Sequence, residues 1–142
     1  MKRKASAVWN GTLKEGKGTL TTGSGALSTH PYSFGSRFEE NAKPGANPEE
    51  LLAAAEAGCF TMALGAELEK AGKPATELRT EATAEMKNEG GKWSIATMHL
   101  VTRGKVPGVD GAEFQRIAEA TKQNCIVSRA LNVELTLDAK LE

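Results

Sequence analysis

Along the chain, apolar positions alternate with polar ones in short runs, then recur at helical spacing, then alternate again. Residues 4–9 and 17–22 predict two short strands around a Gly-rich turn over 11–16. Residues 26–29 and 32–37 carry a weaker strand pattern, interrupted by His30-Pro31, and Lys43-Pro44-Gly45-Ala46 reads as a loop. Asn47 then opens a long helix. Its side chain suits the N-cap, Pro48 the first helical position, and Glu49 and Glu50 the positive end of the helix dipole, with Glu50 placed to complete a capping box. Gly72 and Pro74 stop it. About 25 residues at about 1.5 Å each give roughly 36 Å, long for so small a chain.

This helix is apolar nearly all round between Leu51 and Ala66, and crowded with small residues: Ala53, Ala54, Ala55, Ala57, Gly58, Ala63, Gly65 and Ala66. Gly58 and Gly65 each cost about 1 kcal/mol relative to Ala. The pattern predicts close approach from more than one side, as a symmetric partner helix would make.

Downstream, Leu78, Thr80, Ala82, Ala84 and Met86 alternate with charged residues, and Asn88-Glu89-Gly90-Gly91 turns the chain into a hairpin partner over 92–102. Residues 110–124 predict an amphipathic helix with Phe114, Ile117, Ala118 and Thr121 on its inner stripe. Residues 125–131 read as a short helical turn. Residues 132–142 read as a final strand with Val133, Leu135, Leu137, Ala139 and Leu141 on one face. Strands, long helix, hairpin, helix, strand is an α+β order: mostly antiparallel sheets with a long central helix and a second, amphipathic one. A length of 142 residues predicts a single domain over 1–142 with a real core.

Charge narrows the partners. Lys+Arg and Asp+Glu both number 18, which leaves no electrostatic footprint for nucleic acid or an anionic membrane. No run of about 18 consecutive apolar residues is present to span a bilayer. No apolar segment follows the basic Met1-Lys2-Arg3-Lys4, so no signal peptide is read. A cytoplasmic location is expected, and there a permanent disulfide is uncommon.

The chemistry then rests on two cysteines, Cys59 deep in the long helix and Cys125 at the head of the last short turn. On the residues alone three readings stay open: a structural disulfide, two inert core thiols, and a pair that cycles between reduced and oxidised forms. Cys59 lies about three turns inside its helix, beyond the reach of that helix's own dipole, so a nearby Lys, Arg or His is expected to stabilise its thiolate. Cys125, where one helix ends and another turn begins, is expected beside free backbone N–H groups. A zinc site from His30, Cys59, His99 and Cys125 lacks any short chelating pair. Gly16-Lys17-Gly18-Thr19 lacks the phosphate-loop pattern, and Ser24, Ser28 and Ser36 lack a nucleophile-elbow context.

The segment Asn47-Pro48-Glu49-Glu50-Leu51-Leu52-Ala53-Ala54-Ala55-Glu56-Ala57-Gly58-Cys59-Phe60-Thr61-Met62-Ala63-Leu64 closely resembles the OsmC/Ohr family, osmotically inducible protein C and organic hydroperoxide resistance protein. Cys125-Ile126-Val127-Ser128-Arg129-Ala130-Leu131 matches the family's second motif, and Pro31-Tyr32-Ser33-Phe34-Gly35-Ser36-Arg37-Phe38-Glu39 resembles the OsmC branch. The resemblance implies a thiol peroxidase of oxidative and osmotic stress defence that reduces organic hydroperoxides and, less efficiently, hydrogen peroxide. It implies an intertwined homodimer with active sites at the subunit interface, an external dithiol as reductant, and no metal or bound cofactor. Carried over by position, Cys59 is the peroxidatic thiol, Cys125 the resolving thiol, and Arg37 and Glu49 its charged partners. Phe34, Leu51, Phe60, Met62 and Ile126 are expected to line an apolar substrate pocket. Many family members have Pro where this chain has Ile126. Glu49 and Cys59 stand ten residues apart, about 15 Å along one helix and about 80° apart around it. If both serve one site, Glu49 is expected to come from the other subunit, with the two long helices antiparallel.

Overall fold

The computed structural model describes residues 1–40 and 44–142, so Lys43 of the expected loop lies outside the described residues. The chain divides into two compact units, 1–51 and 52–142.

In the first unit β1 (Ala5–Asn10), β2 (Lys17–Thr22) and β3 (His30–Tyr32) form an antiparallel sheet in that order. Gly18 pairs with Trp9 on one side and Tyr32 on the other, and the Trp9 and Tyr32 rings lie 5.4 Å apart. A Cβ at Gly18 would come within 2.3 Å of the Tyr32 ring and 2.7 Å of Trp9, so only glycine lets the two rings close over the strand.

Two strand expectations fail here. Residues 26–29 form bends, with Thr29 at a φ of +48°. The pattern over 32–37 gives way after Tyr32 to a short helix, α1 (Phe34–Phe38). The reason is a local cap that alternation cannot register. Ser33 Oγ accepts from the Ser36 N–H at 3.1 Å, and Ser36 Oγ accepts from the Ser33 N–H at 2.9 Å. His30, expected in a loop, begins β3.

The long helix α2 (Pro48–Lys70) starts as its cap predicts: Asn47 Oδ1 accepts from the N–H groups of Glu49 and Glu50 at 2.9 and 3.1 Å. It ends before Gly72, whose φ of +72° turns the chain out of the helix. Averaged over a window, α2 is long and apolar enough to cross a bilayer, at a mean hydropathy of 1.4. The absence of an uninterrupted apolar run did not anticipate this, and core helices pass the same test.

In the second unit β4 (Glu77–Glu89) and β5 (Lys92–Lys105) form an antiparallel hairpin, turned by Gly90 and Gly91 at φ of +61° and +82°. After α3 (Gly111–Asn124) and α4 (Ile126–Ala130), β6 (Glu134–Leu141) returns parallel to β5, giving the order β4-β5-β6. This single parallel pair follows from the helical crossover, which brings the chain back to the same end of the sheet.

Asp110 Oδ1 caps α3 by accepting from the Glu113 N–H at 2.8 Å. The inner stripe of α3 is the expected one: Phe114, Ile117, Ala118 and Thr121. The core joins Phe60, Leu64 and Leu68 of α2 to Leu100, Phe114 and Ala139. Each such large side chain contributes about 1.5–3 kcal/mol by leaving water. Gly104 seats the Phe114 ring, since a Cβ there would meet it at 2.7 Å.

Candidate active site

The second unit brings the two cysteines together. Cys59 on α2 and Cys125, the residue that joins α3 to α4, are free thiols whose Sγ atoms lie 2.9 Å apart. Cys125 is 2% exposed, while Cys59 is half-buried. That asymmetry suits a first thiol that meets a reagent and a second that waits behind it.

Their electrostatics differ from the expectation. The helix-start N–H groups serve Cys59, not Cys125. Cys125 occupies the N-cap of α4 without a side-chain cap bond, and the backbone N–H groups of Ile126 and Val127 act on the Cys59 sulfur in the direction that favours its thiolate. Burial pushes the Cys59 thiol above its ordinary value, the hydrogen bond with Cys125 adds to that, and the two backbone N–H groups pull the other way without prevailing. Within a single chain, then, Cys59 is held as a thiol. The cation that the sequence calls for still has work to do.

The first unit holds a cation already organised. Arg37 on α1 grips Glu49 at the start of α2, with Nη2 donating to Oε1 at 2.5 Å and Nε to Oε2 at 3.4 Å. Glu49 is 8% exposed and its side chain raises the Arg37 pKa, chiefly through this hydrogen bond. The Arg37 guanidinium also lies 4.8 Å from the centre of the Phe38 ring. Ser36 fixes the local frame: its Oγ donates to the Ala46 carbonyl at 3.0 Å, and its carbonyl accepts from Asn47 Nδ2 at 3.1 Å. Beside Arg37 opens a cavity of about 240 Å³ lined by Trp9, Leu13, Tyr32, Ser33, Phe34 and Phe38.

The expected pocket residues scatter. Phe34 lines that cavity, and Leu51 is half-buried at the end of the first unit. Phe60 is fully buried in the core of the second unit, whereas Met62 and Ile126 are each 76% exposed. Sequence reasoning missed Trp9, Leu13, Tyr32 and Phe38 as cavity walls. It also missed a buried hydrogen bond between Glu56 and Ser128. A lone acid on the buried stripe Ala53, Glu56, Phe60, Leu64 and Leu68 was the available signal.

Comparison with known proteins bears on the family and the fold. Residues 40–140 match the family described as OsmC-like protein. The chain is 41% identical over 140 residues to Peroxiredoxin OsmC of Escherichia coli strain K12, covering 99% of this chain and 96% of that protein. Its fold is shared with the organic hydroperoxide resistance protein OhrB of Bacillus subtilis, at a TM-score of 0.72 and 22% identity over 98% of both chains. It is shared also with an organic hydroperoxide resistance protein from Elizabethkingia anophelis, at a TM-score of 0.78 and 24% identity over 100% of this chain and 99% of that one. The α+β fold is thus shared with known proteins, and the chain belongs to the OsmC-like protein family.

Proposed function

We propose that the protein is a cytoplasmic thiol peroxidase of oxidative and osmotic stress defence, which reduces organic hydroperoxides and, less efficiently, hydrogen peroxide. The observation that carries this reading is a pair of free thiols 2.9 Å apart, one accessible and one buried, in a chain 41% identical over nearly its whole length to a peroxiredoxin.

The Cys59 thiolate attacks the distal oxygen of the hydroperoxide. The O–O bond breaks, its electron pair leaves with the alkoxide, and a proton releases the alcohol. Cys59 is now a sulfenic acid. The Cys125 sulfur attacks it, water leaves and a disulfide forms. An external dithiol reduces the disulfide by exchange and is itself oxidised. None of these steps calls on a metal or bound redox cofactor.

Activation needs a cation at Cys59, and the family resemblance points to Arg37, which Glu49 holds. On the unbroken α2, Glu49 stands about 15 Å along the axis from Cys59. The pair that serves Cys59 is therefore the partner subunit's Arg37 with the partner subunit's Glu49, in an intertwined homodimer with antiparallel α2 helices. The outer face of α2 supports this reading. Leu52, Ala55, Gly58, Met62 and Ala66 are exposed at helical spacing, and only 28% of the helix's apolar window is buried in the single chain. To Phe34, Leu51, Phe60, Met62 and Ile126 we assign the apolar character that would favour alkyl hydroperoxides over hydrogen peroxide.

Adding cumene hydroperoxide to the reduced, metal-free protein should consume both thiols rapidly. Cys59→Ser should turn nothing over, and Cys125→Ser should oxidise once and stop. Full steady-state activity in Cys59→Ser refutes the assignment.

A further inference from the structure

Glu56 is an unusual residue for its place. It is 0% exposed, on the buried stripe of α2, one turn before Cys59. Ser128 is buried on α4, one turn after Cys125. Ser128 Oγ donates to Glu56 Oε1 at 2.5 Å. The Glu56–Ser128 hydrogen bond and the Cys59–Cys125 approach are thus two successive rungs between the same two helices.

The second oxygen, Glu56 Oε2, is buried without a hydrogen-bond partner among the described residues. Because Glu56 is wholly buried within its own chain, a docking partner has no surface there to contact. A carboxyl brings two acceptor oxygens, and one serine supplies one O–H. Burying the surplus oxygen costs more than one hydrogen bond returns. An apolar residue would hold α2 in the core at less expense, so stability does not explain the acid. Position does. α4 is five residues long, too short to define its own register, and Glu56 gives it a single seat on α2.

We propose that Glu56 is a positioning residue for the resolving step. Acting through Ser128, it seats α4 so that the Cys125 sulfur stays within reach of Cys59 when the latter becomes a sulfenic acid. The condensation then proceeds before a second peroxide can arrive: the Cys125 sulfur bonds to the Cys59 sulfur and water leaves. This rests on the peroxidase reading above, in which the hydroperoxide is the oxidant.

The test compares Ser128→Ala, Glu56→Met and Glu56→Gln with the wild type. Gln keeps an oxygen for the Ser128 hydroxyl; Met keeps the length and removes the acceptor. Stopped-flow mixing with cumene hydroperoxide, with a dimedone trap, separates sulfenic acid formation from disulfide formation. In Ser128→Ala and Glu56→Met, disulfide formation should slow by about tenfold to hundredfold, the scale of a displacement near 1 Å. The first oxidation should stay within about threefold, and trapped and over-oxidised Cys59 should rise. Glu56→Gln should resolve near the wild-type rate. Equal slowing of both steps, or an unchanged resolving step in Ser128→Ala, overturns the proposal. Ser128→Ala removes one oxygen atom and covers the case in which Glu56→Met fails to fold. A second arm needs no peroxidase activity. In a glutathione redox buffer the Cys59–Cys125 disulfide should give way to mixed disulfides more readily in Ser128→Ala and Glu56→Met than in the wild type. An unchanged equilibrium there also overturns it. Failure of the wild type to lose thiols to hydroperoxide would instead strike the peroxidase reading, leaving the glutathione arm to judge the clamp.

Discussion

Glu49 and Glu56 sit two turns apart on α2, both buried, and are satisfied in opposite ways. Glu49 binds a guanidinium through both oxygens, and that guanidinium remains about one-third exposed. Glu56 has one serine hydroxyl and an orphaned oxygen. The first carboxyl aims a charge; the second fixes a helix. A paired carboxylate at a rim can hold a cation out toward a reagent. A carboxyl sealed in the core has no such reach and acts only by constraining its neighbour.

The comparison breaks first on catalysis. Arg37→Ala and Glu49→Ala should lower kcat/KM for tert-butyl hydroperoxide by on the order of a hundredfold, as loss of a preorganised charge does. Melting temperatures should fall modestly, because the Arg37 end of the pair is about one-third exposed while each change leaves a partly buried group without its partner. Mixing the weakly active Arg37→Ala and the inactive Cys59→Ser proteins under exchange should restore about a quarter of wild-type turnover. Half the dimers would be mixed, each with one intact shared site. No recovery would show that Cys59 and Arg37 of the same subunit work together.

On stability the ranking reverses. Ser128→Ala leaves both Glu56 oxygens unsatisfied and should cost about 1–3 kcal/mol in urea unfolding. The double change Glu56→Leu with Ser128→Ala should recover most of that or exceed the wild type, because removing both partners removes the penalty. A double variant no more stable than Ser128→Ala would mean that packing, not the polar pair, sets the cost.

The pH response sharpens the contrast. In the single chain burial raises the Cys59 thiol above 9.0. A folded state that holds this proton more tightly than the unfolded chain gains stability that is full below about 9 and lost as pH rises through the folded value. Arg37→Ala should show that alkaline loss, and its Cys59 should alkylate with a midpoint above 9.0, while the assembled wild type alkylates with a lower one. Coincident profiles would remove Arg37 from the site. The smallest effect expected is at α3. Asp110→Ala removes a cap and should cost about 1 kcal/mol with both thiol steps unchanged.

Much of this frame was readable without coordinates of any kind. Asn47-Pro48 and Gly72 bound α2 because caps and stops are local chemistry, and the inner stripe of α3 follows from helical period alone. Residues 32–37 misled because two serines three apart close a capping box that strand periodicity ignores. The family resemblance, through the motifs around Cys59 and Cys125 and the segment 31–39, pointed to both thiols and to Arg37 and Glu49. It could not say on which sulfur the N–H groups of Ile126 and Val127 act, since that depends on how α4 turns against α2.

The sequence by itself determined most of the elements, their order and the residue types of the chemistry, all properties of short stretches of chain. Tertiary structure alone decided that residues 59 and 125 meet at 2.9 Å, that residues 56 and 128 make the second rung, and that β6 runs parallel to β5. Those are contacts between segments far apart in sequence. Their geometry comes from how helices and strands pack, which no local pattern encodes.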